Sequence, residues 1–129
     1  MEKFVLREKS FNFALRCIRL YQYLTNNQKE FVISKPLLRS GTAVGDLIFE
    51  GRYAESKPDF IHKYHIALKE CNETLYWIKL LFHSNYITKD AYKSLIADVE
   101  ELLRLITSSI MTIKKNIKEK NDDIQTKKQ

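Results

Sequence analysis

Residues 88–117 read TKDAYKSLIADVEELLRLITSSIMTIKKNI, and the reading of this stretch decides the fold. Tyr92, Ile96, Val99, Leu103, Ile106, Ile110, Ile113 and Ile117 recur at alternating steps of four and three. An apolar repeat of about 3.5 residues is the seam of left-handed, nearly parallel helix packing, the geometry of four-helix bundles. Thr88 and Asp90 open the helix and lysines close it, so both ends of its dipole are complemented.

The preceding segment repeats the pattern. Tyr64, Leu68, Cys71, Leu75, Ile78 and Phe82 keep the same spacing. They follow a start signal of Ser56, Pro58 and Asp59, an acidic variant of the capping box, and they stop at Ser84-Asn85. A further helix runs from Ser34-Lys35-Pro36 to about Ala54, with Leu37, Gly41, Val44, Ile48 and Gly51 on one face. Gly41 and Gly45 cost about 1 kcal/mol each in helix propensity, a cost that makes sense where a neighbouring backbone or ring comes close. The first helix begins at about Lys3 or at Ser10 and runs to Leu24, ending in Thr25-Asn26-Asn27. Short connections make successive helices antiparallel neighbours. The expected fold is all-α, an antiparallel up-down-up-down four-helix bundle over residues 1–120, with a flexible polar tail over 121–129.

Composition agrees. Only 3 glycines and 2 prolines occur in 129 residues, too few for the tight turns of an all-β domain. Apolar residues at 44% and charged residues at 29% exclude a disordered chain and a membrane-embedded one. Neither a charged-then-apolar leader nor a run of about 18 apolar residues is present, so a soluble cytoplasmic protein without membrane contact is expected. Cys17 and Cys71 fall in apolar stripes and read as reduced, buried thiols.

The first helix is apolar on two sides. Phe11, Ala14, Leu15 and Ile18 form one face; Phe13, Cys17, Leu20 and Leu24 form another. A bundle helix has one inward face, so the second stripe predicts a homo-oligomer. The expected interface is Phe13, Cys17, Leu20 and Leu24, joined by Trp77 and Leu81 from the flank of the third helix that also carries Ala67 and Thr74.

Reactive chemistry finds little support. His62, His65, Glu70, Glu73 and Glu50 lack the paired Glu-x-x-His spacing of a di-iron bundle, and they read as surface histidines and ion-paired carboxylates. The serines form no nucleophile elbow, and the cysteines lack a motif that lowers a thiol pKa. Residues 39–45 superficially resemble a phosphate loop but lie within a helix and lack its Gly-Lys-Ser/Thr ending. The expectation is no enzyme, no metal and no cofactor. The net charge of +6 leans toward anionic partners. Arg16 and Arg19 share a helix face with Tyr23, Lys69 lies on the third helix, and Lys114, Lys115 and Lys118 close the fourth. These six basic residues are the candidate nucleic-acid contacts, to phosphate rather than to bases. A protein-interaction adaptor is the alternative reading.

Arg39-Ser40-Gly41-Thr42-Ala43-Val44-Gly45, Glu55-Ser56-Lys57, residues 59–63, Ala67-Leu68-Lys69-Glu70 and Glu73-Thr74-Leu75-Tyr76-Trp77 together resemble the bacterial four-helix bundle family, also called the 23S ribosomal-RNA intervening-sequence protein family. Asp46-Leu47 stands where that family usually carries Ala-Asn. The resemblance implies an up-down-up-down bundle that assembles as a homopentamer. It also implies kinship with the accessory protein of diversity-generating retroelements, which binds nucleic acid and a reverse transcriptase. It brings no catalytic residues. Within its motif, Arg39 is expected to pair with Glu70 or Glu73, with Gly41 and Gly45 setting the approach of two helices.

Overall fold

The computed structural model describes residues 2–128, which form four helices: α1 (Glu2–Asn26), α2 (Ser34–Gly51), α3 (Lys57–His83) and α4 (Lys89–Lys128). They are arranged as an all-α up-down-up-down bundle. α1 packs on α2, α2 on α3 and α3 on α4, and a sparser contact between α4 and α1 closes the ring.

The helix ends follow local chemistry. Ser56 is extended (φ −157°, ψ 168°), and its side chain accepts the Asp59 N–H at 3.2 Å, with Pro58 in the first turn. Thr88 Oγ1 accepts the Ala91 N–H at 3.2 Å and caps α4 in the same way. After α3 the chain reverses through Asn85 at φ 68°, while the Tyr86 N–H returns to the Leu81 carbonyl at 2.9 Å. This is the left-handed stop that asparagine tolerates. The start of α2 is held by Glu30. Its carboxylate accepts the N–H groups of Val32 (3.0 Å), Ile33 (2.9 Å) and Ser34 (2.7 Å). Burial alone pushes the Glu30 carboxyl up, but these backbone donors and Ser34 outweigh it and leave the group below its ordinary value.

Packing departs from the expected seams by a small rotation. On α3 the fully buried positions are Tyr64, Ala67, Cys71, Thr74, Ile78 and Leu81, with Leu68, Leu75 and Phe82 on the flank. On α4 they are Leu95, Val99, Leu102, Ile106 and Ile110, with Ile96 and Leu103 beside them. On α3 the reason is close approach: Thr74 turns toward Ser40 and Gly41 of α2, and the longer Leu68 and Leu75 close the margins. Gly41 shows the distance involved. A Cβ there would stand 2.3 Å from Cys17 Sγ and 3.7 Å from Thr74 Cγ2. At Gly45 a Cβ would stand 3.1 Å from the Ser10 carbonyl oxygen. Ser40 and Thr74, both buried, satisfy each other across the α2–α3 contact at 2.8 Å.

This rotation corrects the expected interface. Phe13 is 2% exposed, and Cys17, Leu24 and Leu81 are wholly buried inside one protomer, while Leu20 and Trp77 are half-buried. None of the first four is available to a second copy. α1 is apolar on two sides because the stripe Leu6, Ser10, Phe13, Cys17 and Leu24 is its inward face. The opposite stripe is the one left in water: Phe4 is 70% exposed, Phe11 63% and Ile18 38%.

The fourth helix also exceeds expectation. Residues 121–128, read as a flexible tail, continue α4, which spans 40 residues or about 60 Å at roughly 1.5 Å per residue; Gln129 lies outside the described residues. Beyond Ile113, which still lines a pocket with Arg7 and Phe60, every described side chain through Thr126 is exposed except the half-buried Ile117. With no Gly or Pro in its length, the helix persists without a neighbour. Lys115 and Glu119, one turn apart at 4.0 Å, support it.

Candidate nucleic-acid interface and assembly surface

The basic residues singled out from sequence do not converge on one site. Arg16 donates to Asp98 at 2.7 Å across the α1–α4 contact, where Lys9 also meets Glu101 at 2.9 Å. That hydrogen bond raises the Lys9 ammonium above its ordinary value. Arg16 therefore serves first as a tie between helices. Arg19, one turn further along the same groove, is exposed; the groove has a volume of about 630 Å³ and is also lined by Phe13, Leu20, Tyr23 and Leu95. Lys69 stands exposed on α3, the helix diagonal to α1.

Lys114, Lys115 and Lys118 are exposed on the free end of α4, with Lys120 close behind. Antiparallel pairing of α1 with α4 puts this end beside the start of α1, because Arg7 and Ile113 line one pocket. The projecting lysines and the Phe4 end of the α1 strip thus share one end of the molecule. Phe4, Phe11 and Ile18 are a heptad apart and lie on one helix face, about 21 Å long. The sequence contained a signal for this strip. Gly41 and Gly45 require small partners, Ser10 and Cys17 are the small residues of α1, and the apolar stripe opposite them must then face outward.

The stretch around Arg39 forms a tie between two helices. Arg39 reaches from α2 to α3, with Nη1 3.1 Å from Glu70 Oε2 and Nη2 hydrogen-bonded to Glu73. The Arg39 side chain is 58% exposed, whereas that of Glu70 is 12% exposed. Burial pushes both thiols, Cys17 and Cys71, up to about 12, which keeps them protonated and unreactive. Among the described residues no group of three or more His, Cys, Asp or Glu is gathered closely enough to hold a metal ion. No described helix is long and apolar enough to cross a membrane.

A capped four-helix bundle with an Arg–Glu tie between α2 and α3, an open apolar strip and a free basic helix end places the chain among helical bundle proteins. The chain belongs to the 23S rRNA-intervening sequence protein family, whose model matches residues 2–108. A crystal structure of a protein of unknown function from the S23 ribosomal protein family of Bacteroides thetaiotaomicron is similar, with 49% identity and a TM-score of 0.85. The similarity covers 86% of this chain and 99% of that one. No curated protein matches. The family match stops at residue 108, so the projecting end of α4 lies outside it.

Proposed function

We propose that this protein is a non-enzymatic, self-associating scaffold, pentameric as its family resemblance implies, that carries nucleic acid on the free end of α4. The observation that carries the reading is that the Phe4 end of the open Phe4–Phe11–Ile18 strip lies at the same molecular end as the unpacked lysine-rich helix. Covering the strip with identical copies brings several α4 ends together. Each lysine cluster is a weak phosphate ligand alone, and several copies acting on one strand gain by effective concentration. The family's description as an rRNA-intervening sequence protein fits such a partner. Arg19 and Lys69 are outlying contributors, while Arg16 is committed to Asp98.

Filter binding of structured RNA to the full chain at two salt concentrations tests the reading. Binding at low salt that weakens steeply as salt rises is expected, and K114Q/K115Q/K118Q should reduce both affinity and salt slope. Absence of binding at low salt overturns it. A protein-interaction adaptor, such as a partner of a reverse transcriptase, predicts instead salt-insensitive capture of a protein that fails on substitution of apolar residues.

A further inference from the structure

A pocket of about 360 Å³ opens at the corner where α2 gives way to α3. Its floor is apolar and aromatic, formed by Ile48, Ile113 and the stacked pair Phe60–Tyr64, whose ring centroids are 4.0 Å apart at 29°. The tyrosine ring is seated tightly under the end of α2 because residue 51 is glycine: a Cβ there would stand 2.7 Å from Tyr64 Cε1. Three cations from three different segments line the walls: Arg7 of α1, Arg52 of the turn and Lys57 at the first position of α3.

Among the described residues no carboxylate lines this pocket. Asp59, in the same turn as Lys57, is engaged elsewhere: it accepts the Glu55 N–H at 3.1 Å and lies 3.9 Å from Lys63. Among the described residues neither Arg52 nor Lys57 has an ion-pair partner, and the Arg52 guanidinium rests 5.6 Å from the centroid of Tyr53. Arg52 and Lys57 bring two like charges to a small, apolar-floored cavity, and an anion between them relieves their repulsion. A guanidinium beside an ammonium suits phosphate oxygens, and an aromatic floor suits a planar ring. The volume lies at the small end of ligand clefts, room for one nucleotide unit.

We infer that this pocket binds a single phosphate-bearing planar unit, a nucleoside monophosphate taken either free or as the phosphorylated end of a strand. The pocket adjoins the base of the free end of α4 through Ile113, but Lys114, Lys115 and Lys118 do not line it, so it holds or fails independently of the scaffold reading. Calorimetric titration of the full chain with adenosine monophosphate, adenosine and inorganic phosphate tests it. Adenosine monophosphate should bind, and adenosine and phosphate should each bind at least tenfold more weakly. R52Q/K57Q, at two exposed positions where the fold should be unaffected, should weaken binding at least tenfold with an unchanged circular dichroism spectrum. K114Q/K115Q/K118Q should leave it unchanged. No binding of adenosine monophosphate at millimolar concentration overturns the inference. So does binding that ignores R52Q/K57Q, or inorganic phosphate binding as well as the nucleotide. Competition by a short RNA with a terminal phosphate, but not by its hydroxyl-ended counterpart, assigns the strand end as the source; failure of both to compete assigns the free nucleotide.

Discussion

Gly41 shows how one side chain sets the approach of two helices. The hydrogen at this position admits Cys17 Sγ to a place that a Cβ would otherwise contest at 2.3 Å. Both residues are buried, so neither moves aside into water. Gly41→Ala should cost about 1–3 kcal/mol of stability by overpacking, despite its gain in helix propensity. Cys17→Ala in the same chain should restore part of that loss, a coupling that urea unfolding of the four-member cycle measures. Additive losses would show that the contact does not set the spacing.

Glu30 is a second residue with a measurable signature. Its carboxyl is held below its ordinary value, so its contribution to stability is complete above the unfolded-state value, near pH 4.3. That contribution is lost as pH falls through the lower, folded-state value. Glu30→Gln keeps the shape and loses charge-assisted bonds to three backbone donors, with an expected cost of about 1–3 kcal/mol at neutral pH. Its stability should also fall less steeply than the parent's between pH 5 and pH 3. Denaturation midpoints across that range check both, and parallel acid limbs would contradict the assignment. Nothing in the sequence marked Glu30 for this task. Its residues Glu30-Phe31-Val32-Ile33-Ser34 do not match a Ser/Thr cap, and a carboxylate serving three consecutive N–H groups depends on a turn only the folded chain shows.

Among the elements, α3 and α4 were legible because their apolar spacing is long and uninterrupted, and α2 because its glycines lie on its buried face. What periodicity left open was phase. Two adjacent stripes on α3, through Leu68 and Leu75 or through Ala67 and Thr74, satisfy the same 3.5 spacing, and the approach of Gly41 and Ser40 selects the smaller one. α1 carries the same ambiguity with larger consequences, because the choice between Phe13–Cys17 and Phe11–Ile18 exchanges inside for outside. The reach of α4 was hidden for another reason. A charged segment reads equally as frayed coil or as free helix, and its helicity rests on a preceding, well-packed stretch that supplies the nucleus.

That dependence gives α4 its own test. A chain ending at Ile113 loses exposed residues that touch almost nothing, so its unfolding free energy should change by less than about 0.5 kcal/mol. Helical circular dichroism should fall by the share belonging to the removed turns, and low-salt RNA binding should disappear. A large loss of stability would instead place residues 114–128 in the core energetics of the bundle or of its assembly.

At the scale of the whole molecule, a bundle with a filled interior leaves one face of α1 unsatisfied. Phe4, Phe11 and Ile18 keep substantial apolar area in water, and burial of each is worth about 1.5–3 kcal/mol gross. Arg7 over the Phe4 ring, 4.5 Å from its centroid, shields only one end of the strip. In the proposed assembly a closed ring of identical copies would cover the strip and gather the α4 ends, which would link assembly to nucleic-acid binding in one geometry.

Light scattering of the full chain at increasing concentration tests that link most directly, with F11E/I18E as its partner measurement. The parent should scatter as a multiple of the 15.3 kDa protomer, fivefold if the ring is a pentamer, and F11E/I18E should scatter as a single folded protomer with weakened RNA binding. A parent that stays at 15.3 kDa at high concentration, or a charged variant that assembles as before, would contradict the account.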